Sequence, residues 1–236
     1  NNAGWGSGDP SDAWHGVQVD ADGRVVGLDL YKNGLQGNLP NSIGNLTKLR
    51  YLNVKGNNLT GKIPSEVGNM VNLEWLILAG NTLVKEPPQD LTQAYHPGKS
   101  NNATNDFSGD IPKTIGSLTN LKRFELSGTS VTRFPDEIVN STAIEGIYLN
   151  LNNFTDETLP SEIGNLSNLH QLYLSGNEMT GSLPSSLSNL TKLTYFHVGE
   201  TSNSLPNNNF TGSLPDFSGA TNLRSFVLDK NSLSGD

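Results

Sequence analysis

The chain of 236 residues contains no cysteine, which excludes disulfides, thiol catalysis and cysteine-ligated metals. Charged residues make up 16% of the sequence, well below the usual quarter, and the net charge is −8. No basic run is present to neutralise phosphates, so we expect no nucleic-acid partner. No apolar run approaches the roughly 20 residues that span a bilayer, so we expect no membrane span in this stretch of chain. Residues 1–20 also lack the basic start and apolar centre of a signal peptide.

The chain is instead rich in glycine and asparagine, and it repeats itself. The frame L-x-x-L-x-L-x-x-N-x-L-[TS]-G-x-[IL]-P recurs in eight copies, which begin at Val25, Leu49, Leu73, Leu121, Ile144, Leu169, Leu193 and Leu223. One copy cannot bury its own apolar positions, but stacked copies turn these positions into a continuous core. We therefore predict eight coils whose short strands lie parallel, about 4.8 Å apart.

Each frame carries an asparagine at the turn that follows its strand. The positions that correspond to Asn57 are Asn33, Asn81, Asn105, Asn152, Asn177, Asn208 and Asn231, with Thr129 in place of asparagine in one coil. A buried amide both donates to and accepts from backbone groups that would otherwise be unpaired. The pattern predicts a buried asparagine ladder that is weak at Thr129.

The frame resembles the plant-type leucine-rich repeat of receptor-kinase ectodomains and polygalacturonase-inhibiting proteins, over residues 14–235. The resemblance implies a right-handed α/β solenoid with a parallel β-sheet on the concave face and short helical or irregular segments on the convex face. WHGVQVDADG resembles the family's amino-terminal cap, but Asp12 and Val19 stand where the family has cysteines, which leaves a microbial or algal member open. We expect a cap at 1–24, repeats over 25–236 with insertions at about 82–104 and 201–207, and no carboxy-terminal cap.

The stretch EWLIL, residues 74–78, separates the two faces of a predicted strand. The frame places Leu76 and Leu78 in the core, so Trp75 and Ile77 are expected to be exposed on the concave face. Equivalent positions in the other coils carry every tyrosine except Tyr95. Such aromatic residues are typical of binding surfaces, although they also stabilise neighbouring strands. The predicted ligand-binding residues are Tyr31, Tyr51, Asn53, Trp75, Ile77, Arg123, Glu125, Tyr148, Asn150, Gln171, Tyr173, Tyr195 and His197.

Both insertions follow a concave strand, so we expect them on the same rim of the solenoid, either as walls of the binding site or as neutral decoration.

The four histidines show no metal-binding or catalytic spacing, and residues 20–23, DADG, indicate a turn in preference to a calcium loop. Eight Asn-x-Ser/Thr sequons occur, at Asn45, Asn58, Asn102, Asn140, Asn153, Asn165, Asn189 and Asn209. Most follow from the frame itself.

The sequence thus predicts a non-catalytic recognition module, without a cofactor, at the cell surface or outside the cell. The first hypothesis is a protein or peptide ligand on the concave face. The alternatives are a glycan ligand held by the concave aromatic residues, and a structural or enzyme-inhibitor scaffold. The open carboxy-terminal edge of the sheet is a further candidate for association with another chain.

Overall fold

The structure is a computed structural model that describes residues 15–80, 104–199 and 206–235. Short strands and single-turn 3-10 helices alternate along this part of the chain. The strands are β1 (Val17–Val19), β2 (Val25–Asp29), β3 (Gln36–Asn38), β4 (Tyr51–Asn53), β5 (Asn58–Gly61), β6 (Trp75–Ile77), β7 (Asp106–Asp110), β8 (Arg123–Glu125), β9 (Ser130–Arg133), β10 (Gly146–Tyr148), β11 (Gln171–Tyr173), β12 (Tyr195–His197), β13 (Thr211–Ser213), β14 (Ser225–Val227) and β15 (Ser232–Ser234). The 3-10 helices are η1 (Asn41–Asn45), η2 (Ser65–Asn69), η3 (Lys113–Ser117), η4 (Asp136–Asn140), η5 (Ser161–Asn165) and η6 (Ser185–Asn189).

One sheet of nine strands runs along the solenoid in the order β1-β2-β4-β6-β8-β10-β11-β12-β14. Strand β1 is antiparallel to β2, whereas every later pair is parallel. Each of the eight sequence frames contributes one parallel strand, and we number the coils one to eight in that order. The predicted fold, a leucine-rich-repeat solenoid with a parallel sheet, is confirmed.

Two smaller sheets lie after the asparagine turns, one of four strands (β3-β5-β7-β9) and one of two (β13-β15). Their side chains are largely exposed and polar, as in β3, where Gln36 and Asn38 are both exposed. These strands form because the T-G-x segment of each frame pairs with its counterpart in the next coil. They give the solenoid a second, shorter face beside the main sheet.

The 3-10 helices form the side of the solenoid opposite the main sheet, and a proline precedes each of them. Proline fixes an extended entry and cannot donate a hydrogen bond, which suits the first position before a helical turn. The helices stack on one another closely enough that a Cβ on Gly44 would overlap the carbonyl oxygen of Glu66. The glycine of the SIGN and SEIGN segments is therefore required by helix-to-helix contact.

The core is a continuous column between the main sheet and the 3-10 helices. It contains the frame leucines and, towards the asparagine turns, fully buried phenylalanines such as Phe107, Phe154 and Phe210. In coil eight, Leu223, Phe226 and Leu228 are only partly buried. The column is thus fully buried in its middle coils and less well covered at coil eight, as it is at Leu28 and Leu30 of coil one. Association through that edge stays a prediction.

The asparagine ladder is present and buried. Asn177, with 0% exposure, donates from Nδ2 to the carbonyls of Leu149 and Leu174, and its Oδ1 accepts from the backbone N–H of Asn152. Asn105 makes the corresponding bonds to Val54 and Leu78, which identifies it as the turn residue of its coil.

At Thr129 the ladder changes its chemistry. The hydroxyl oxygen lies 2.7 Å from Oδ1 of Asn152 and 3.4 Å from the carbonyl oxygen of Leu126. Among the described residues, no bond runs from Thr129 to a carbonyl of the preceding coil, unlike the rungs made by asparagine. This geometry agrees with the weak rung that the sequence predicts.

At the amino-terminal end, β1 covers the edge of β2, and DADG forms the turn between them. Arg24 pairs with the carboxylates of Asp20 and Asp22 at 2.8 and 2.6 Å. Hydrogen bonds and the Arg24 charge hold the pKa of the Asp20 carboxyl below its ordinary value. The turn predicted for DADG is confirmed. The rest of the predicted cap (residues 1–14) and most of both insertions lie outside the described residues.

Candidate functional site on the concave face

The strand register aligns the predicted site residues into rows across the main sheet. One row contains Gly27, Tyr51, Trp75, Arg123, Gly146, Gln171, Tyr195 and Ser225, and the next contains Asp29, Asn53, Ile77, Glu125, Tyr148, Tyr173, His197 and Val227. Side chains of both rows lie on the face opposite the leucine core, because alternate residues of a strand face opposite sides. The structure therefore brings eleven of the thirteen predicted residues together in these two rows, and Tyr31 and Asn150 each follow two residues after the second row.

The expectation that these side chains are exposed was wrong for about half of them. Seven predicted residues are buried: Asn53, Ile77, Arg123, Glu125, Tyr148, Asn150 and Tyr173. Six are partly buried: Tyr31, Tyr51, Trp75, Gln171, Tyr195 and His197. The reason is that adjacent strands are only about 4.8 Å apart, so large side chains in one row cover one another. Within the two rows, the partly accessible aromatic side chains of the described residues form two patches, one of Tyr51 and Trp75 in coils two and three and one of Tyr195 and His197 in coil seven.

A buried ion-pair cluster forms the centre of the concave face. Glu125 accepts from Lys55 Nζ at 2.6 Å and from Arg123 at 2.8 Å. Lys55 belongs to coil two, and its side chain reaches past coil three to Glu125 in coil four. Burial by itself raises the pKa of the Glu125 carboxyl, but Lys55 and Arg123 outweigh it, so this pKa lies below its ordinary value. The carboxylate stays charged and holds both cations in place.

The ring of Tyr148 lies between Arg123 and Tyr173. The guanidinium carbon of Arg123 is 4.1 Å from the centroid of this ring, and the Tyr173 ring stacks on it at 5.3 Å and 10°. Arg123 also donates to the Tyr148 hydroxyl, which in turn donates to Gln171. Gly146 is necessary here, because a Cβ at that position would lie 2.8 Å from the Tyr148 ring. The centre of the face is therefore rigid and closed.

The first accessible patch is formed by the tilted rings of Tyr51 and Trp75, whose centroids are 6.1 Å apart. Asn53 fixes this patch from below, since its Nδ2 donates to the Tyr51 hydroxyl and to Asp29, both at 3.2 Å. Burial, together with the nearby negative charge of Asp29, raises the pKa of the Tyr51 hydroxyl to about 12. Tyr51 is thus a neutral hydrogen-bonding group throughout the physiological range.

An open pocket of about 240 Å³ adjoins this patch. It is lined by Gln18, Val26, Arg50, Tyr51, Glu74 and Trp75. Sequence analysis missed four of these residues, namely Gln18, Val26, Arg50 and Glu74. Arg50 and Glu74 precede their strands and pair at 2.5 Å across neighbouring coils. The sequence signal that could have identified Arg50 and Glu74 is their opposite charge at the same frame position of successive coils. The pocket therefore combines aromatic and charged side chains in its lining.

The second accessible patch is formed by Tyr195 and His197. The His197 ring meets Tyr173 edge-on at 4.6 Å, and its Nε2 lies 2.8 Å from the Ser225 hydroxyl. Burial lowers the pKa of the imidazole, which favours the neutral form. This patch is therefore aromatic, uncharged at neutral pH and able to exchange hydrogen bonds.

Neither patch contains the parts of a metal centre. Within residues 15–80, 104–199 and 206–235, no cluster of three or more carboxylate or histidine side chains is placed to hold a metal ion. No helix in the described part of the chain is long and apolar enough to cross a bilayer. The concave face offers aromatic contact, hydrogen bonds and fixed charge.

Comparison with known proteins places the repeats in a family. The profile described as Leucine Rich Repeat matches residues 24–46, 48–70 and 168–190. Receptor-like protein kinase BRI1-like 3 of Arabidopsis thaliana is 45% identical over 53 residues, which are 22% of this chain and 5% of that protein.

Solved structures extend the similarity to nearly the whole chain. The structure of PEPR1-AtPEP1 matches with a TM-score of 0.74 and 27% identity over 93% of this chain. A second match is the ectodomain of the plant membrane receptor kinase GASSHO1/SCHENGEN3 from Arabidopsis thaliana, in complex with CASPARIAN STRIP INTEGRITY FACTOR 2. Its TM-score is 0.73, and its sequence identity is 27% over 94% of this chain. This chain spans only 27% and 26% of those two chains.

A plant ice-binding protein matches with a TM-score of 0.64 and 21% identity, over 99% of this chain and 82% of that chain. At this identity the likeness shows the fold alone. The receptor ectodomains share both the fold and more of the sequence. The repeats, the asparagine ladder and these similarities together show that the chain has the leucine-rich-repeat fold and is similar to leucine-rich-repeat proteins of the plant type.

Proposed function

We propose that the chain is a non-catalytic recognition module, outside the cell or at its surface, that binds a protein or peptide on its concave face. Two solved relatives support a protein or peptide partner, because their structures are described as PEPR1-AtPEP1 and as a membrane receptor kinase ectodomain in complex with CASPARIAN STRIP INTEGRITY FACTOR 2. Fold similarity does not define function by itself. The proposal therefore rests chiefly on the geometry of the concave face.

The observation that carries the proposal is the pair of accessible aromatic patches on either side of a rigid centre. Trp75 and Tyr195 lie four strand spacings apart in the sheet, which corresponds to roughly 19 Å. An extended segment of about six residues spans this distance. Aromatic side chains held in place by buried neighbours give binding energy without a large ordering cost. A segment that crosses several coils fits this spacing.

The pocket beside Trp75 gives the segment an anchor for one side chain. Its lining includes the Tyr51 and Trp75 side chains and the Arg50–Glu74 ion pair. An apolar or aromatic side chain with a polar tip matches that combination. We therefore place the strongest contact of the ligand at coils two and three.

A glycan ligand is the weaker hypothesis on this geometry. Sugars stack on free aromatic faces, but both faces of Tyr148 are already covered, by Arg123 and by Tyr173. In the two described concave rows, the rings at the two patches remain for stacking. A structural or enzyme-inhibitor role requires neither patch.

The test is to screen the chain against secreted proteins and peptides and, in parallel, against a glycan array. Trp75→Ala and Tyr195→Ala are each expected to weaken the binding of a protein or peptide ligand about 10-fold or more, because loss of an aromatic anchor typically costs above 1.4 kcal/mol. Val71→Ala is the matched control, since Val71 is 48% exposed and lies on a different surface. Unchanged affinity in both concave variants, or ligands found only on the glycan array, would refute the proposal.

That the two insertions form walls of the binding site stays a separate prediction. Most of their residues lie outside the described part of the chain, and the experiment is deletion of residues 84–104 followed by the same binding assay. Loss of binding would support walls of the site, and unchanged binding would support neutral decoration.

A further inference from the structure

The charges of this chain are distributed unevenly around the solenoid. We call the stretch of each coil from the asparagine turn to the segment of the 3-10 helices the acidic side. In the described residues it carries ten carboxylates: Glu66, Asp106, Asp110, Asp136, Glu137, Asp156, Glu157, Glu162, Glu178 and Asp216. Its cations are Lys62, Lys113 and Arg133. This side therefore holds most of the net charge of −8.

The segment that returns the chain to the main sheet has the opposite charge balance. We call it the entry rim, and it consists of the five residues before the strand in coils two to eight: 46–50, 70–74, 118–122, 141–145, 166–170, 190–194 and 220–224. It carries five exposed cations, which are Lys48, Arg50, Lys122, Lys192 and Arg224, and two carboxylates, which are Glu74 and Glu145. The entry rim is thus positive in a chain whose net charge is negative.

The backbone of the entry rim is held in place by bonds between coils. The N–H of Arg50 donates to the carbonyl of Val26, and the N–H of Glu74 donates to the carbonyl of Arg50, both at 2.8 Å. The side chain of Asn72 adds a bond from Nδ2 to the carbonyl of Thr47 at 2.7 Å. The charged tips therefore stand on a fixed platform that is continuous with the main sheet.

A second open pocket, of about 420 Å³, lies on the entry rim at coils one to three. It shares Arg50 and Glu74 with the pocket that the Tyr51 and Trp75 rings line. Lys48 is a further lining residue of the second pocket. The two pockets therefore adjoin and form one groove, which is aromatic towards the concave face and polar towards the rim.

The carboxylates of this groove already have cationic partners. Asp20, which also lines the second pocket, pairs with Arg24 at 2.8 Å. Glu74 accepts from Arg50 at 2.5 Å and from Lys122 at 2.8 Å. The hydrogen bond from Lys122, with that from Arg50, holds the pKa of the Glu74 carboxyl below its ordinary value. Glu74 is thus an anion shared by two cations.

Lys48 is the cation of the groove that lacks a counter-charge. Its side chain is exposed, and it makes no ion pair or hydrogen bond within the described part of the chain. Arg50 and Lys122 share one carboxylate, so they add to the positive excess. A ligand that fills both pockets gains most from an apolar anchor followed by negative charge.

We infer that the partner of the concave face is an acidic segment, with its anchor side chain beside Trp75 and its carboxylates in the second pocket at Lys48 and Arg50. The inference rests on the proposed function. Exposed charge pairs add little affinity, but a field of this shape accelerates association and rejects basic ligands. The acidic side repels the same segment and so favours its approach to the entry rim.

The experiment is selection of phage-displayed random peptides on the full chain, followed by affinity measurements with the selected peptides. Relative to the input library, we expect enrichment of Asp and Glu next to an aromatic or large apolar residue. The association rate should fall steeply between about 50 mM and 500 mM salt, because salt screens exposed charges.

The deciding variants remove one exposed cation each. Lys48→Gln should weaken the selected peptides about three-fold or more, and Lys48→Glu should weaken them further. Lys113→Gln is the matched control, since the Lys113 side chain is 79% exposed and lies on the acidic side. It changes the net charge by the same amount and should leave the affinity unchanged.

The outcomes separate this inference from the proposed function. Peptides that lose binding in Trp75→Ala but carry no excess of acidic residues would overturn the inference and leave the proposed function standing. Equal effects of Lys48→Gln and Lys113→Gln would also overturn it, because net charge alone would then explain the binding. Acidic peptides that require Lys48 but neither Trp75 nor Tyr195 would support the acidic partner and refute the concave site. Enrichment of no peptide, or binding of acidic glycans alone, would overturn both.

Discussion

Lys55 and Glu125 pair at 2.6 Å although the strand of coil three lies between their coils. The side chains of both residues are largely buried, with 16% and 5% exposure. Glu125 also neutralises Arg123, so a single carboxylate organises the charges of the concave centre. Two predictions concern this group and its charge.

Glu125→Gln is expected to lower the free energy of unfolding by about 3 kcal/mol, because it leaves two nearly buried cations without their anion. Urea unfolding measures the effect. Glu74→Gln is the matched control, since Glu74 also bridges two cations, but Arg50 and Lys122 are 63% and 46% exposed. Its effect should stay within about 1 kcal/mol. Equal effects of the two variants would contradict a special role for the buried cluster.

The same carboxylate makes stability depend on acidic pH. Its pKa is lower in the folded protein than the ordinary value of 4.5. Its contribution is therefore complete above pH 4.5 and is lost as the pH falls through the folded value. Unfolding measured between pH 3 and 7 should show a smaller acidic decline in Glu125→Gln than in the parent. An identical decline in both proteins would exclude Glu125 as the source.

Gly146→Ala tests whether the stack of Arg123, Tyr148 and Tyr173 requires a residue without a Cβ at position 146. The added methyl would lie 2.8 Å from the Tyr148 ring, which cannot move without leaving Arg123 or Tyr173. We expect destabilisation of about 1–3 kcal/mol. Gly27→Ala is the control at the same frame position, where the neighbour is the more flexible side chain of Gln18. Urea unfolding of both variants should show the larger loss for Gly146→Ala, and the reverse order would refute the packing argument.

Substitutions at two positions of the asparagine ladder are expected to change the free energy of unfolding in opposite directions. Asn177→Ala removes three buried hydrogen bonds and should cost about 2–4 kcal/mol. Thr129→Asn supplies an amide that can donate to the preceding coil, and it should stabilise the chain by about 0.5–1.5 kcal/mol. The measurement is the urea midpoint of each variant. A destabilised Thr129→Asn would show that coil four has adapted to threonine.

His197 provides a prediction near neutral pH. Because burial lowers its pKa below the ordinary value of 6.5, the folded state favours neutral imidazole. Its contribution to stability is thus complete above pH 6.5 and declines as the pH falls through the lowered value. An NMR titration of the His197 ring protons should give a pKa below 6.5. A value above 6.5 would indicate an anionic neighbour that the described residues do not supply.

The repeat frame was sufficient to predict the coils, the parallel sheet and the leucine core, because each of these features depends on periodicity along the chain. The ladder was also predictable, down to the altered rung at Thr129, since a buried asparagine at a turn has few alternatives. The register of the strands follows from the same frame, so the alignment of Trp75 with Arg123 was accessible from sequence.

What each concave side chain contacts was decided only by the tertiary structure. The frame assigns Tyr148 and Tyr195 to the same face, yet one is buried and the other partly accessible. This difference depends on neighbours 23 or more residues away and on Gly146, which leaves room for the Tyr148 ring. Periodicity fixes the direction of a side chain, whereas its exposure depends on the size and charge of residues in adjacent coils. The fold was therefore determined by the sequence pattern alone, and the boundaries of the candidate site by packing between coils.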